Sequence, residues 1–259
     1  ATIKKKNERK NSNHRYVIPF PGSKTLQEFW NNLMDKKDLT GMATKDDFGA
    51  DPELFYKKEK GVIDRCYSLR GGYIRDYKFN SADFGSEDLS DLDQMYQWGL
   101  QVTKDALING GYWSSPQALD TCGVIFGNLS FPTKSSHKIL APIYAKTLEK
   151  GIRSLLKDDS FEIPATEYEI PKNNPLEGDV SELVKNIIGL KGTNFDLDAA
   201  CASSLYAIKM ACDELLTGKA DMMLAGAVCS SDQLFIHMGF SIFHAYAAHD
   251  KKYSPLDKD

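Results

Sequence analysis

An α/β fold is predicted from three adjoining patterns. Asn194-Phe195-Asp196-Leu197 alternates polar and apolar residues, as a short strand does. Leu205, Ile208, Cys212, Leu215 and Leu216 then recur at helical steps of three and four, with Gly218 closing the pattern and Lys219 beside it as a stop signal. Met222-Met223-Leu224-Ala225-Gly226-Ala227-Val228 follows as a nearly continuous apolar run, the pattern of a strand buried on both faces of a parallel sheet. Strand, turn, helix and strand together make the building unit of α/β architecture.

Other elements are predicted along the rest of the chain. Residues 1–15 carry six basic side chains against one acidic, and Lys4 to Arg15 is too polar for a buried central strand. This segment is expected to be a solvated, disordered tail. Residues 35–90 mix charges, glycines and aromatics, and contain neither a G-x-x-x-x-G-K nor a G-x-G-x-x-G phosphate loop. Gln94 to Leu107 and Lys138 to Leu156 read as helices of good helix formers. Ile163 to Asn174, with Pro164 and Pro171, reads as a surface loop. No internal repeat is present.

Composition narrows the function. The chain has 259 residues, 42% apolar and 26% charged, as expected of a globular protein able to bury a large core. The net charge is −4, and the basic start makes the remainder more acidic still, which argues against nucleic acid as the main partner. No apolar window is long enough for a membrane span, and no apolar stretch follows the basic start as in a signal peptide. The odd count of five cysteines, none in a C-x-x-C pair, fits a reducing cytosol and gives no metal site.

Cys201 carries the chemistry. It lies in Asp198-Ala199-Ala200-Cys201-Ala202-Ser203-Ser204-Leu205, between the short strand and the helix, with small residues on both sides. Small neighbours let the backbone turn sharply and a substrate approach. A helix start places unpaired N–H groups and partial positive charge beside the sulfur, the setting that activates a nucleophile. A free cysteine is more often a small, inert core residue, and Cys66, Cys122, Cys212 and Cys229 are expected to be structural in that way. His237, His244 and His249 are expected to belong to a helix and its solvated end, His137 to a polar loop and His14 to the basic tail.

The run around Cys201, followed by Gly218-Lys219-Ala220-Asp221 and Leu224-Ala225-Gly226-Ala227, resembles the active-site segment of β-ketoacyl synthases. Phe20-Pro21-Gly22-Ser23 with Phe29-Trp30-Asn31-Asn32-Leu33 resembles that family's opening motif. Asp91-Leu92-Asp93-Gln94, Gly123-Val124-Ile125-Phe126-Gly127-Asn128 and Ser254-Pro255-Leu256-Asp257-Lys258-Asp259 resemble further segments. Phe131-Pro132-Thr133 and Asp221 to Val228 are most similar to the ketosynthases of bacterial polyunsaturated fatty acid synthases. The resemblance covers residues 16–259 and implies the N-terminal, active-site half of a thiolase-like fold, a layered sheet with helices. The family's opening strand is replaced by the basic run. Its two histidines come from a second half beyond Asp259, so the sequence reads as a partial chain, inactive alone.

The activity implied by the resemblance is acyl transfer to Cys201 from an acyl carrier protein, followed by decarboxylative condensation with a malonyl thioester on a second carrier. No cofactor is expected to bind directly, since phosphopantetheine is carried by the acyl carrier protein, and no metal is implied. The family forms homodimers, which places Met222 to Val228 near a two-fold interface. Phe235-Ile236-His237-Met238-Gly239-Phe240 resembles a segment lining the acyl pocket, which makes Phe240 a substrate-contact candidate and, equally, a core aromatic. The alternatives are a thiolase-fold enzyme acting on acyl-coenzyme A, a non-catalytic chain-length-factor-like subunit, and a cysteine hydrolase. The hydrolase wants Gly-x-Cys-x-Gly, whereas Ala199 and Ser203 flank Cys201.

Overall fold

The computed structural model of the chain describes residues 2–4, 20–75, 77–85, 89–164 and 179–247. In chain order the elements are β1 (Thr2–Lys4), α1 (Leu26–Met34), β2 (Gly41–Met42), α2 (Lys45–Phe48), β3 (Arg70–Gly71), α3 (Gln94–Gly110) and α4 (Pro116–Asp120). There follow β4 (Cys122–Gly127), α5 (Lys134–Leu156), α6 (Val180–Ile188), β5 (Asn194–Leu197), α7 (Ser203–Leu216), β6 (Met222–Ala227) and α8 (Gln233–Ile242). The chain divides into two compact units: Ala1–Arg15 with Phe79–Ser230, and Tyr16–Lys78 with Ser231–Asp259.

The first unit is built on a four-stranded sheet in the order β1-β6-β4-β5. β4 runs parallel to β5 and to β6, and β1 is antiparallel to β6. Parallel neighbours need a crossover, and helices provide it: α5 and α6 lie between β4 and β5 in the chain, α7 between β5 and β6. All six residues of β4 are buried, as a central strand covered on both faces requires. Ile125, Met223 and Ala225 pack with Ala207, Ala211, Leu215 and Ala220, flanked by Phe195 and Leu197. This core seats α7 on the sheet. Elsewhere in the unit, α3 and α6 meet where Gly99 faces Val180.

The period of α7 is as predicted, but its phase is not. Its buried residues are Ser203, Ala207, Ala211 and Leu215, each four apart. Leu205 and Leu216, read from the sequence as core, are 68% and 82% exposed. A helix lying close on a sheet needs small residues at the contact, so alanines take the inner face and the bulky residues turn outward. Two boundaries also move. α5 begins four residues before the predicted Lys138, because Thr133 caps it by accepting the Ser136 N–H. His137 is therefore helical and not in a loop. α3 runs on to Gly110, with Gly111 in the left-handed conformation closing it.

Thr2–Lys4 forms an edge strand, and the rest of the basic segment, residues 5–15, lies outside the described residues. So does most of the expected loop 163–174. Both edges of β6 are taken, by β1 and β4; the outer strands of the described sheet are β1 and β5.

The second unit has its own small core of Phe48, Cys66 and Leu69, packed by Ala43, Phe55, Tyr56, Leu234 and Met238. Its opening motif is a physical unit. Phe20 and Ser23 exchange backbone hydrogen bonds, the Phe20 and Phe29 rings stack at 4.9 Å, and Asn32 donates to the Gly22 carbonyl and the Ser23 hydroxyl. Thr25 and Glu28 close a capping box that starts α1. Among the described residues no helix is long and apolar enough to cross a membrane.

Candidate active site

β5 ends at Leu197, a single 3₁₀ turn spans Ala200–Ala202, and α7 starts at Ser203. Cys201 sits in that turn, exposed, beyond the carboxyl end of a parallel strand. This is where open α/β sheets place their ligands. The residue before it, Ala200, has φ +51°, a left-handed conformation that costs a non-glycine residue about 1–2 kcal/mol. Three contacts hold it there. The Ala200 N–H donates to Asp198 Oδ1 at 2.8 Å, and the Ser203 hydroxyl donates to the Ala200 carbonyl at 2.7 Å. Ser203 Oγ in turn accepts the Ala199 N–H at 2.9 Å.

The floor of the turn is Gly127, the last residue of β4. A Cβ there would lie 2.6 Å from the Ser203 carbonyl carbon and 2.7 Å from Ser203 Cβ. The helix start therefore rests directly on strand backbone, and only glycine admits that approach. Gly127→Ala is expected to push Ser203 outward, since the nearest atoms include backbone that no rotamer change moves. A loss of about 1–3 kcal/mol in denaturant unfolding is expected, together with slower modification of Cys201. An unchanged midpoint with unchanged Cys201 labelling would contradict this packing.

A second anchor reaches the turn from the stretch after β4. The Ser130 N–H donates to Asp198 Oδ2 at 2.9 Å and the Asn128 N–H donates to the Leu197 carbonyl at 2.9 Å. At the far end of this stretch the Thr133 hydroxyl donates at 2.8 Å to Asp93, which also caps α3. The backbone N–H groups of Ser130, first, and of Ala200 hold the Asp198 carboxyl below its ordinary range.

Asp196, two residues earlier on β5, behaves in the opposite way. It accepts the Ser181 N–H at 2.9 Å, while its other oxygen is buried without such a donor. Burial, chiefly, and the neighbouring Asp179 carboxylate push its carboxyl up to about 7. Asp179, the N-cap of α6, is itself held low: burial works against its charge, but the bond from the Glu182 N–H and the other hydrogen bonds it makes outweigh that. Of the two carboxyls, Asp196 is the one that holds its proton to higher pH. Because its folded value lies above the ordinary 3.8, the stability it contributes is complete only below 3.8 and is lost as pH rises from there through about 7. Asp196→Asn should therefore gain stability relative to the parent between pH 5 and pH 8, in thermal melts at both pH values. An offset independent of pH would show that Asp196 is not protonated in the fold.

The other singled-out residues fall elsewhere. Cys122 opens β4 and Cys66 lies in the core of the second unit, both buried, and burial raises both thiols, Cys122 to about 12. Cys212 is half-buried on α7. Cys229 is exposed and so does not pack in the interior as expected. His237 is buried on α8 with both ring nitrogens engaged, Nδ1 at 3.0 Å from the Ser68 carbonyl and Nε2 at 2.9 Å from the Tyr73 hydroxyl. It serves the packing of the second unit, and burial lowers its basicity. Phe240 lies on α8, 41% exposed and edge-on to Tyr246 at 5.9 Å. It belongs to the second unit, and Cys201 to the first. His249 and His14 lie outside the described residues. Among the described residues no group of three or more His, Cys, Asp or Glu is placed to hold a metal.

Sequence reasoning missed the roles of Asp196, Asp198, Ser203 and Gly127. One signal was available: an aspartate two residues before a turn position is placed to accept that residue's N–H.

Known proteins are similar to this chain in sequence and in fold. The model of the beta-ketoacyl synthase N-terminal domain matches residues 17–259. One of the polyunsaturated fatty acid synthase subunits of Thraustochytrium sp. is 29% identical over 232 residues, covering 88% of this chain and 11% of that protein. Polyketide synthase PksM of Bacillus subtilis is 26% identical over 212 residues, covering 81% of this chain and 4% of that protein. Among solved structures, a PfaC keto synthase-chain length factor aligns with a TM-score of 0.79 and 42% identity over 94% of this chain and 27% of its own. The ketosynthase domain OzmH KS7 from the oxazolomycin system of Streptomyces albus JA3453 aligns with a TM-score of 0.61 at 21% identity, over 86% of this chain and 35% of its own, a likeness of fold. The chain thus spans about a tenth of that fatty acid synthase protein and about a quarter of the PfaC chain.

Proposed function

The chain belongs to the β-ketoacyl synthase family, with a thiolase-like fold, and from that premise we propose that it is the nucleophile-bearing part of a condensing enzyme of polyunsaturated fatty acid or polyketide synthesis. The observation that supports this most is Cys201, exposed on a braced left-handed turn between a parallel strand and a helix. In this reading the Cys201 thiolate attacks the carbonyl of an acyl group carried as a thioester on the phosphopantetheine arm of an acyl carrier protein. The carrier's thiolate leaves, and the acyl group is held on Sγ. The Cys201 N–H donates to the carbonyl oxygen as negative charge develops there. A malonyl thioester on a second carrier loses CO₂. Its carbanion attacks the Cys201 thioester, forming the C–C bond and releasing the cysteine thiolate. No directly bound cofactor is needed for these steps. A cytosolic location and a homodimeric assembly are parts of the same proposal.

The experiment uses the intact protein with acyl- and malonyl-loaded carrier protein. A product longer by two carbons, with stoichiometric release of CO₂, is expected. Absence of acyl transfer to the protein would overturn the reading. The PfaC match carries "chain length factor" in its name, which gives a non-catalytic subunit as the second reading. Such a subunit would lack the nucleophilic cysteine, and acylation at Cys201 separates the two.

A further inference from the structure

We propose that Asp198 is a positioning residue for the nucleophile, tying the turn that carries Cys201 to the backbone stretch after β4 so that the cysteine's N–H and Sγ are aimed together at the acyl carbonyl. This rests on the reading of Cys201 given above and adds the residue that aims it. Ala200 is held at both ends of its own backbone, its N–H by Asp198 Oδ1 and its carbonyl by the Ser203 hydroxyl. Ser203 is buried and fixed by its contact with Gly127. Asp198 is exposed and has no such packing. What fixes it is its second oxygen, which accepts the Ser130 N–H at 2.9 Å. Ser130 is itself held on both sides, by the Asn128 N–H on the Leu197 carbonyl and by the Thr133 hydroxyl on the buried Asp93.

The consequence is mechanical. The peptide that joins Ala200 to Cys201 supplies the Cys201 N–H, so its tilt sets where that N–H points. With φ at +51°, Ala200 relaxes toward the common negative-φ basins once its N–H is released. That motion leaves a thiol in place but turns the N–H away from the developing oxyanion. Acyl transfer needs both groups aligned, whereas simple alkylation of the sulfur needs only the thiol.

The test compares the parent chain with Asp198→Ala and Asp198→Asn, using hexanoyl-N-acetylcysteamine as the acyl probe and iodoacetamide as the alkylating probe. Modification of Cys201 is followed by mass spectrometry, with exposed Cys229 as the internal standard for alkylation. In Asp198→Ala, acylation of Cys201 is expected to fall roughly ten- to a hundredfold, with alkylation changed by no more than about threefold. Asp198→Asn keeps one acceptor oxygen and should fall between. Acylation in Asp198→Ala within about twofold of the parent would overturn the proposal. So would an equal fall of acylation and alkylation, the signature of a merely structural role. A parent chain that alkylates at Cys201 but never acylates would instead overturn the proposed function, and this inference with it.

Discussion

Acylation by an acyl thioester should disappear when Cys201 is replaced by alanine. Loss of a covalent nucleophile costs on the order of 10⁵–10⁶ in rate in enzymes where it has been dissected, so no signal above background is expected. The chain offers few substitutes. Cys66 and Cys122 are buried, and burial pushes their thiols away from the reactive thiolate. Cys212 is half-buried within α7. Cys229 is exposed, so it will alkylate, but it lies after β6 and not on the turn that leads into a long helix. An acyl thioester should therefore give one adduct on the parent chain, at Cys201, and none on Cys201→Ala. An adduct of undiminished yield on Cys201→Ala, located at Cys229 or Cys122, would remove Cys201 from its assigned role.

What was legible in the sequence was local. The strand at Asn194–Leu197, the apolar strand starting at Met222 and the helix between them are set by patterns of two to four residues, and all three are present. The turn that carries Cys201 was legible because small residues on both sides of a cysteine let the backbone turn sharply between strand and helix. What failed was the choice of face. Leu205 and Leu216 are better core formers than Ala207 and Ala211, yet the alanines are inside, because the spacing between helix and sheet is a property of two elements and no one segment encodes it. Asp196 was hidden for the same reason. Its carboxyl is pushed up first by burial under neighbouring elements and then by Asp179, seventeen positions earlier, across a crossover. The constraint on Gly127, the backbone of Ser203, lies 76 positions away in the chain and so could not be read locally.

The misplaced face of α7 has a measurable consequence, the second large effect expected. Of the stripe that the sequence marks as core, Leu205, Ile208, Cys212, Leu215 and Leu216, only Leu215 is buried; Leu205, Ile208 and Leu216 are exposed, Leu205 and Leu216 strongly so. Tyr206 and Met210 widen the patch. An apolar stripe of this kind is uncommon on an isolated soluble monomer and marks an association surface. The 259-residue chain by itself is therefore expected to self-associate at micromolar concentration. Full burial of a leucine side chain is worth about 1.5–3 kcal/mol, so charging both Leu205 and Leu216 should weaken association by well over tenfold, since about 1.4 kcal/mol is a factor of ten. Sedimentation velocity of the parent and of the Leu205→Lys, Leu216→Lys double variant measures this, with far-UV circular dichroism to show that the helices persist. Neither leucine contributes to the buried core of α7, so the fold has no reason to change. A monomeric parent would show that the stripe is not adhesive. An associated double variant with native dichroism would move the contact to another exposed apolar surface, such as that of α5, with Tyr144, Leu148 and Leu155.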